Sequence, residues 1–436
     1  MALAKPTGME TTKTHRVETG EARGRGAAWF ICLALVTVAS GCGGCLKQVP
    51  DLPDPGPDLG SGCPGGPNCG IVQSLLEEEI DDPKCPPGGC DPGGSGNAKG
   101  IYTAEGGNYC FIAVGDKFFC PETFTNTPTG VVLAMRHLDS PLTVLQTAVT
   151  GKLEANPNQL VDVLAITSDR TELSIRYRLK PVLGKPLPAE QVAKGEDLTK
   201  LILHLGTMAK GSGDASPLVG YDLKFVKEEG VKNGVHRYKL TYQEHSNIAG
   251  DSLVWIPHCK EDGANTISFL QGRRVNGLTA SVKRDDNATS MGCEKGSIVT
   301  CLDWGYTPWN DSGGWDDQRE FVFRSCLQAK RAAYFVGKGN YQSYTKPGTK
   351  IIKWDQYASG GDKLTKEEQA KLAPHIEALW GPHGAVCFNP QNRRREDPDL
   401  WPGQDPKKLD TYGVGPCTSA DFTPEGKIFT VPSSKL

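Results

Sequence analysis

The side chains best suited to chemistry fall in three stretches, CLDWGYTPW, CLQAKRAAYF and TKIIKWD. They supply Asp303, Tyr306, Trp309, Lys330, Arg331 and Asp355. Carboxylates, a phenol and cations held together can move protons in a hydrolysis, and an aromatic face can bind a sugar ring or a peptide. These residues are therefore the candidate site for an enzyme or a binder. Stronger signatures are missing. The chain has no His-Glu-x-x-His, no Gly-x-Ser-x-Gly, no phosphate loop and no dinucleotide fingerprint. No catalytic residue, metal ligand or cofactor is assigned on this reading.

Weaker signals have plainer explanations. NDSGGWDD, Asn310 to Asp317, offers oxygen donors at loop spacing but lacks the bidentate glutamate and ligand periodicity of a calcium hand, so it reads as a polar loop. WIPHC offers His258 and Cys259 as zinc ligands. No second pair stands at metal spacing, and the cysteine is expected in a disulfide. RRRED, Arg393 to Asp397, is neutralised by its own acids and reads as surface. Trp304, Tyr306, Trp309 and Trp315 could form a platform for a glycan or peptide; packed core aromatics are the plainer reading.

The elements that must position these groups differ along the chain. From Ile101 to about Trp255 the pattern is mostly strand. LSIRYRLK alternates apolar and charged, and YDLKFVKEEG and VHRYKLTYQE flank Asn233-Gly234, a hairpin signal that puts Tyr238, Leu240 and Tyr242 on one face. One helix is expected inside this region, in PAEQVAKGEDLTKLILHLGTM, with Val192, Leu198, Leu201, Ile202 and Leu205 as its stripe and His204 as a structural neighbour. Further on, a helix is expected from about Glu294 to Trp304. A second is expected through FVFRSCLQAKRAAYF, ending near Gly337. YQSYT and TKIIKWD read as short strands. LTKEEQAKLA starts with a capping box at Thr365 and Glu368 and is broken by Pro374. The residues from Gln391 onward read as loop.

The N-terminus speaks of export. Arg23 and Arg25 precede the apolar run Ala27 to Ala39, which is too short for a bilayer core of ~30 Å but suits a signal peptide. Ala39-Ser40-Gly41-Cys42 then resembles a bacterial lipobox, with Cys42 the lipidated residue; translation starts at Met1 or Met9. Residues 43–100 hold 14 Gly and 10 Pro. Such a composition cannot bury enough apolar surface to offset chain entropy, so it is expected to be a disordered tether. IVQSLLEEEIDD is a possible short helix inside it.

Fifteen cysteines fit an oxidising compartment. With Cys32 in the signal and Cys42 lipidated, Cys45 is the natural odd one out. The disulfide candidates are Cys63, Cys69, Cys85, Cys90, Cys110, Cys120, Cys259, Cys293, Cys301, Cys326, Cys387 and Cys417. The loops CPGGPNC and CPPGGC suit local bridges, and a hairpin with Val114-Gly115-Asp116 as its loop would bring Cys110 to Cys120. Cys293 and Cys301 could not bridge if one helix held both. A formal charge of −3 gives no electrostatic case for nucleic acid.

CLDWGYTPW, FRSCLQAKRAAYF, TKPGTKIIKWD and HGAVCFNP, in that order, resemble the succession of motifs in the ADYC-domain proteins of myxobacteria, over about Ile267 to Cys417. The resemblance implies no established activity. The Ala-Asp-Tyr-Cys that gives the family its name stands here as Ala332-Ala333-Tyr334-Phe335. The loss of an acid and a cysteine argues against a catalytic pair there. The stretch is therefore expected to pack into a core, with Cys326 bridged, Phe335 filling the volume of the missing cysteine, and Lys330 and Arg331 solvated.

The whole reads as an α+β protein: a strand-rich N-terminal half followed by a disulfide-stapled mixed α/β C-terminal half, after a disordered tether. The expected divisions are 1–41 signal peptide, 42–100 tether, 101–256 β-rich domain with one helix, and 257–436 ADYC-like domain. The expected role is a non-enzymatic binding or structural module on an envelope lipoprotein. It would be anchored by lipid to the outer rather than the inner membrane, facing the periplasm or exterior, with an envelope protein or glycan as partner. The alternative is a secreted hydrolase of cell-wall or extracellular polymer.

Overall fold

The computed structural model describes residues 47–50, 112–114, 117–137, 143–181, 183–209, 218–245, 254–259, 266–336, 345, 349–357, 360–394, 413–418, 421 and 427–436. All of these belong to one unit, Gly44–Leu436. Cys42, Cys45, Cys63, Cys69, Cys85, Cys90 and Cys110 lie outside the described residues, as do IVQSLLEEEIDD and most of YQSYT.

The protein is strand-rich, of the α+β kind. Its first strands are β1 Lys47–Pro50, β2 Ile112–Val114, β3 Lys117–Thr127, β4 Gly130–His137, β5 Thr143–Leu153, β6 Leu160–Asp169 and β7 Glu172–Leu179. Then come β8 Glu190–Lys194, β9 Leu201–Ala209, β10 Leu218–Lys232, β11 Val235–His245, β12 Ile256–Pro257, β13 Thr266–Val275 and β14 Val282–Cys293. All pair antiparallel in one sheet of 14 strands. β4 pairs with both β3 and β5, while β3 also leads through β14, β13, β11, β10 and β9 back to β5. The ladder therefore closes into a ring, while β6, β7 and β8 branch from β5 and leave β8 as an edge. Tyr238, Leu240 and Tyr242 share the inward face, as expected, with Phe225, Phe269 and Met291. The ring continues through residues 256–257, the expected domain division, because β13 and β14 complete it. β1, inside the stretch read as tether, pairs with β5.

Local chemistry explains several of these strands. Asn233 (φ 54°) and Gly234 (φ 77°) form the two-residue turn between β10 and β11, which needs positive φ at both positions. In β7, Leu173, Ile175 and Tyr177 point inward and Arg176 outward, a period of two. β2 and β3 form the expected hairpin, with Val114 opposite Lys117, so the loop is two residues rather than three. Cys120 is disulfide-bonded.

The helix expected in PAEQVAKGEDLTKLILHLGTM is absent. β8, a 3-10 turn over Gly195–Lys200 and β9 occupy that stretch. Leu201, Ile202, Leu203 and Leu205 are all buried within the strand, whereas Val192 of the expected stripe is 56% exposed. Pairing on both sides of β9, with β5 and β10, overrides the helical spacing of the leucines.

Beyond the ring lie α1 Ser297–Asp303 and α2 Asp317–Arg331, then β15 Ile351–Asp355, α3 Lys366–Leu372, β16 Ala378–Gly381, β17 Gly384–Phe388 and β18 Ile428–Pro432. The last four strands form a second sheet, ordered β15-β18-β16-β17. β18 is central to it, although its residues lie in the part read as loop; its five-residue run IFTVP shows no alternation because all of it is buried. α1, α2, Trp380, Phe388 and Ile428 make a second core against Leu270, Val275 and Val282. A third, smaller core on the other side of the sheet holds Trp354, Leu379, Phe429 and Val431.

The Asp316 carboxylate caps α2 by accepting the Arg319 amide at 2.9 Å. This helix ends at Arg331, short of the expected run through Phe335, because Ala332 takes a left-handed conformation (φ 52°). The expected capping box at Thr365 and Glu368 opens α3, with Pro374 just past its end. Among the described residues no helix is long and apolar enough to cross a membrane.

Among the described residues three disulfides have both partners placed. Cys259–Cys293 links the end of β12 to the end of β14, Cys301–Cys326 joins α1 to α2, and Cys387–Cys417 holds β17 to a following loop. Cys293 ends a strand and Cys301 sits in a helix, so each finds a different partner.

Candidate functional site

The densest polar centre lies where α2 ends against the second sheet. Glu377, just before β16, is fully buried. Its Oε1 accepts the Tyr334 hydroxyl and, at 3.0 Å, the Arg394 amide. Its Oε2 accepts Arg394 Nη2 at 2.6 Å and Thr430 Oγ1 at 2.9 Å. Thr430 Oγ1 in turn accepts the Trp380 indole N–H at 2.8 Å. Arg394 Nη1 reaches the Ala329 carbonyl at 3.0 Å, which also accepts the Ala332 amide at the end of α2, and Thr345 Oγ1 at 2.9 Å. Burial raises the Tyr334 pKa well above the ordinary value and Glu377 adds to it, so the phenol stays protonated. Burial works against the Arg394 charge, but the Glu377 carboxylate outweighs it and holds that pKa above the usual arginine value. This centre is saturated: charge is paired and lone pairs are used. Such a cluster holds geometry; it presents no group to a substrate.

The predicted site residues do not converge. Asp303, at the end of α1, accepts Arg237 of β11. Burial raises the Asp303 pKa above the carboxylate norm despite that arginine. Trp309 is buried edge-on against Trp315, with ring centroids 5.7 Å apart. Lys330 is half-buried, and its carbonyl accepts the Thr345 hydroxyl. Arg331, expected in solvent, is buried and donates to the Leu278 carbonyl at 2.6 Å. The physical reason is the left-handed turn at Ala332, which folds the chain back over the last turn of α2. Tyr306 and Asp355 are the pair the structure does bring close. Both stand at the loop containing Gly360 and Gly361, where a side chain at Gly361 (φ +69°) would collide with the Tyr306 ring. Asp355 accepts the amides of Tyr357 at 2.9 Å and Gly360 at 3.2 Å. Burial, with Asp355 and Asp362 nearby, raises the Tyr306 pKa well above its norm.

The weaker motifs resolve similarly. In NDSGGWDD, Asp311 pairs with Arg319, Asp316 caps α2 and Asp317 pairs with Arg284, so its acids serve the turn and the helix start. RRRED is not simply surface: Arg394 is buried on Glu377, a partner 17 residues away. Phe335 is buried, as expected, against Phe388, while Phe321 in the same expected helix is 40% exposed.

Two histidines were undervalued by sequence. His204 Nδ1 stands 2.9 Å from Asp222 Oδ1, and Lys152 Nζ lies 2.6 Å from Asp222 Oδ2. These residues come from β9, β10 and β5, and the His204 side chain is 37% exposed over a buried aspartate. Reading the stretch as a helix hid this pair, because only strand register sets His204 opposite Asp222. His258 is buried beside the Cys259–Cys293 disulfide, with no partner at either ring nitrogen among the described residues. Burial depresses its pKa to about 4. Glu377 was missed although a lone acid in the apolar run IEALW was visible.

A ring of antiparallel strands backed by a disulfide-stapled helical layer, centred on a buried Tyr-Glu-Arg cluster, defines the class. Residues 195–394 match the ADYC domain family, and the chain is an ADYC domain-containing protein. The match runs from the 3-10 turn before β9 to Arg394, the residue that closes the Glu377 cluster. No curated protein and no solved structure matches the chain.

Proposed function

We propose that this protein is a lipid-anchored lipoprotein of the bacterial cell envelope, in a myxobacterium, and that its ADYC domain acts as a non-enzymatic binding or structural module. The observation that carries the reading is how the motif's polar groups are used. Tyr334, Arg331 and Glu377 are buried and engaged with protein partners, so the motif builds a rigid scaffold. Anchoring is supported by the signal-like run Ala27 to Ala39 and by Cys42 in its lipobox; the Gly- and Pro-rich stretch behind it suits a disordered tether. The outer membrane, with the domain facing the periplasm or exterior and an envelope protein or glycan as partner, completes the proposal.

Two experiments test it. Cys42→Ala should abolish labelling by a radiolabelled fatty acid and release the protein from membranes; unchanged detergent partitioning would sink the lipoprotein reading. Capture of a saturable envelope protein or glycan by the mature domain should survive Asp303→Asn and Asp355→Asn in variants that keep the wild-type fold.

A second reading, a hydrolase of cell-wall or extracellular polymer, draws on His204. A half-exposed imidazole oriented by a buried carboxylate is the arrangement of a general base. Release of soluble fragments from purified cell wall by wild type, lost in His204→Ala, would favour this reading over the first.

A further inference from the structure

His258 is buried to 1% exposure, and among the described residues neither ring nitrogen has a hydrogen-bond partner. Buried polar atoms are nearly always paired, and an exception calls for a specific cause such as an ion. Its neighbours supply one. A ring nitrogen of His258 and the sulfurs of Cys259 and Cys293 lie within 4.8 Å of one another. As a disulfide the two sulfurs are poor donors. As thiolates, together with an imidazole, they are a donor set that suits zinc, which binds sulfur at ~2.3 Å and histidine nitrogen at ~2.0–2.1 Å.

The backbone holds these donors together without help from the disulfide. The His258 amide donates to the Leu240 carbonyl of β11 at 2.9 Å, and β12 pairs with the same strand. Cys293 sits opposite Ile267 in the β13–β14 ladder, and Ile267 opposite Tyr238 of β11. Reduction would therefore leave both thiols and the imidazole at one place in the fold. The Cα atoms of the two cysteines are 5.7 Å apart, a spacing that a disulfide accepts and that two ligands of one ion can share.

We propose that in the dithiol form of this protein His258, Cys259 and Cys293 bind one zinc ion, so that the two cysteines serve either as a disulfide or as metal ligands. Binding replaces the two thiol protons with one Zn²⁺ and involves no electron transfer. Forming the disulfide transfers two electrons and two protons from the thiols to an acceptor disulfide, which becomes a dithiol, and withdraws both sulfur donors. The return to the dithiol takes two electrons and two protons from a dithiol or phosphine reductant. Three protein ligands leave one tetrahedral position for water or an exogenous ligand. Zinc captured before oxidation protects the thiols, and oxidation releases it.

The test uses the full chain, reduced with a phosphine and freed of metal, titrated with Co²⁺ as a spectroscopic substitute and then with Zn²⁺. The reduced chain holds other cysteine pairs, so the readout is a difference between variants. Cys259→Ser with Cys293→Ser should lose one equivalent of tightly bound metal and its share of the thiolate-to-cobalt charge-transfer absorption. Cys301→Ser with Cys326→Ser should keep that equivalent. His258→Leu replaces an unpaired imidazole by an apolar group, so it should fold; it should bind that equivalent at least ~10-fold more weakly, since even ligand-supporting groups are worth that much. Oxidised wild type should lack this equivalent. Unchanged stoichiometry in the Cys259/Cys293 variant, or unchanged affinity in His258→Leu, would overturn the proposal. If His258→Leu fails to fold, zinc-edge X-ray absorption decides. The Cys301/Cys326 double variant loaded with a single equivalent of Zn²⁺ should show both nitrogen and sulfur neighbours, and a sulfur-only shell would exclude the histidine.

Discussion

The strand ring and the helical layer solve the same burial problem by different means. Inside the ring the core is almost wholly apolar, from Phe124 through Leu203 and Tyr238 to Met291, and the backbone is satisfied by neighbouring strands. The layer of α1, α2 and the second sheet has short elements and several helix ends. There, buried side chains take over what a ladder does elsewhere. Arg394 serves Ala329, Arg331 serves Leu278, and Gln328 donates to the Thr279 carbonyl at 2.8 Å. The ring carries buried charge too, in the Arg136–Glu122 pair of β4 and β3 and in Asp222 of β10, but its strands bond mainly to one another. A layer of short helices and loops cannot leave its carbonyls bare, and an arginine brought in for that purpose needs a carboxylate beside it.

The sharpest way to break this comparison is to remove that carboxylate. Glu377→Ala leaves Arg394 buried and uncompensated and should destabilise toward the upper end of ~3–5 kcal/mol in denaturant titration. Glu377→Leu combined with Arg394→Met should cost less than either single change. If it costs their sum, the cluster is not a unit. Phe335→Ala empties a buried site in the same layer and should cost ~3–5 kcal/mol, less if neighbours collapse into the space. Wild-type unfolding of that variant would move Phe335 out of the core.

Replacing both Cys301 and Cys326 with Ala opens a loop with a sequence separation of 25, worth ~2–4 kcal/mol in the helical layer. The ring should respond instead to acid. His258 has a folded pKa of about 4 against an ordinary 6.5. The unfolded state therefore binds the proton more readily between these values, and stability should fall as pH drops from about 6.5 to about 4 and be fully present above it. The slope should vanish in His258→Leu, measured on the oxidised protein; a slope equal to wild type would assign the acid sensitivity elsewhere. Smallest of all, Lys330→Ala should change stability by less than ~0.5 kcal/mol in thermal unfolding. A larger loss would mean that the half-buried stem of Lys330 carries packing.

Much of the ring was legible from local signals. Asn233-Gly234, the alternation in LSIRYRLK and the shared face of Tyr238, Leu240 and Tyr242 depend on residues a few positions apart, and the structure holds them as read. The capping box at Thr365 is of the same kind. The stretch containing Leu201, Leu203 and Leu205 failed because a short leucine-rich run fits a helix or a strand equally well, and its two flanking strands decide the matter. Arg331 failed for a related reason: nothing local marks Ala332 for a left-handed turn.

By itself the sequence determined what depends on composition and short spacing. It set the strand-rich character, the ADYC motif order, the packing role of Phe335 and a bridged Cys326. Tertiary structure alone decided the pairings that span long separations. Glu377 meets Arg394 and Thr430, His204 meets Asp222, and Cys259 meets Cys293 across 34 residues. The physical reason is that a buried charge or thiol is defined by what surrounds it. In this chain those surroundings are assembled by the closure of the ring and by the central place of β18, whose residues carry no local sign of either.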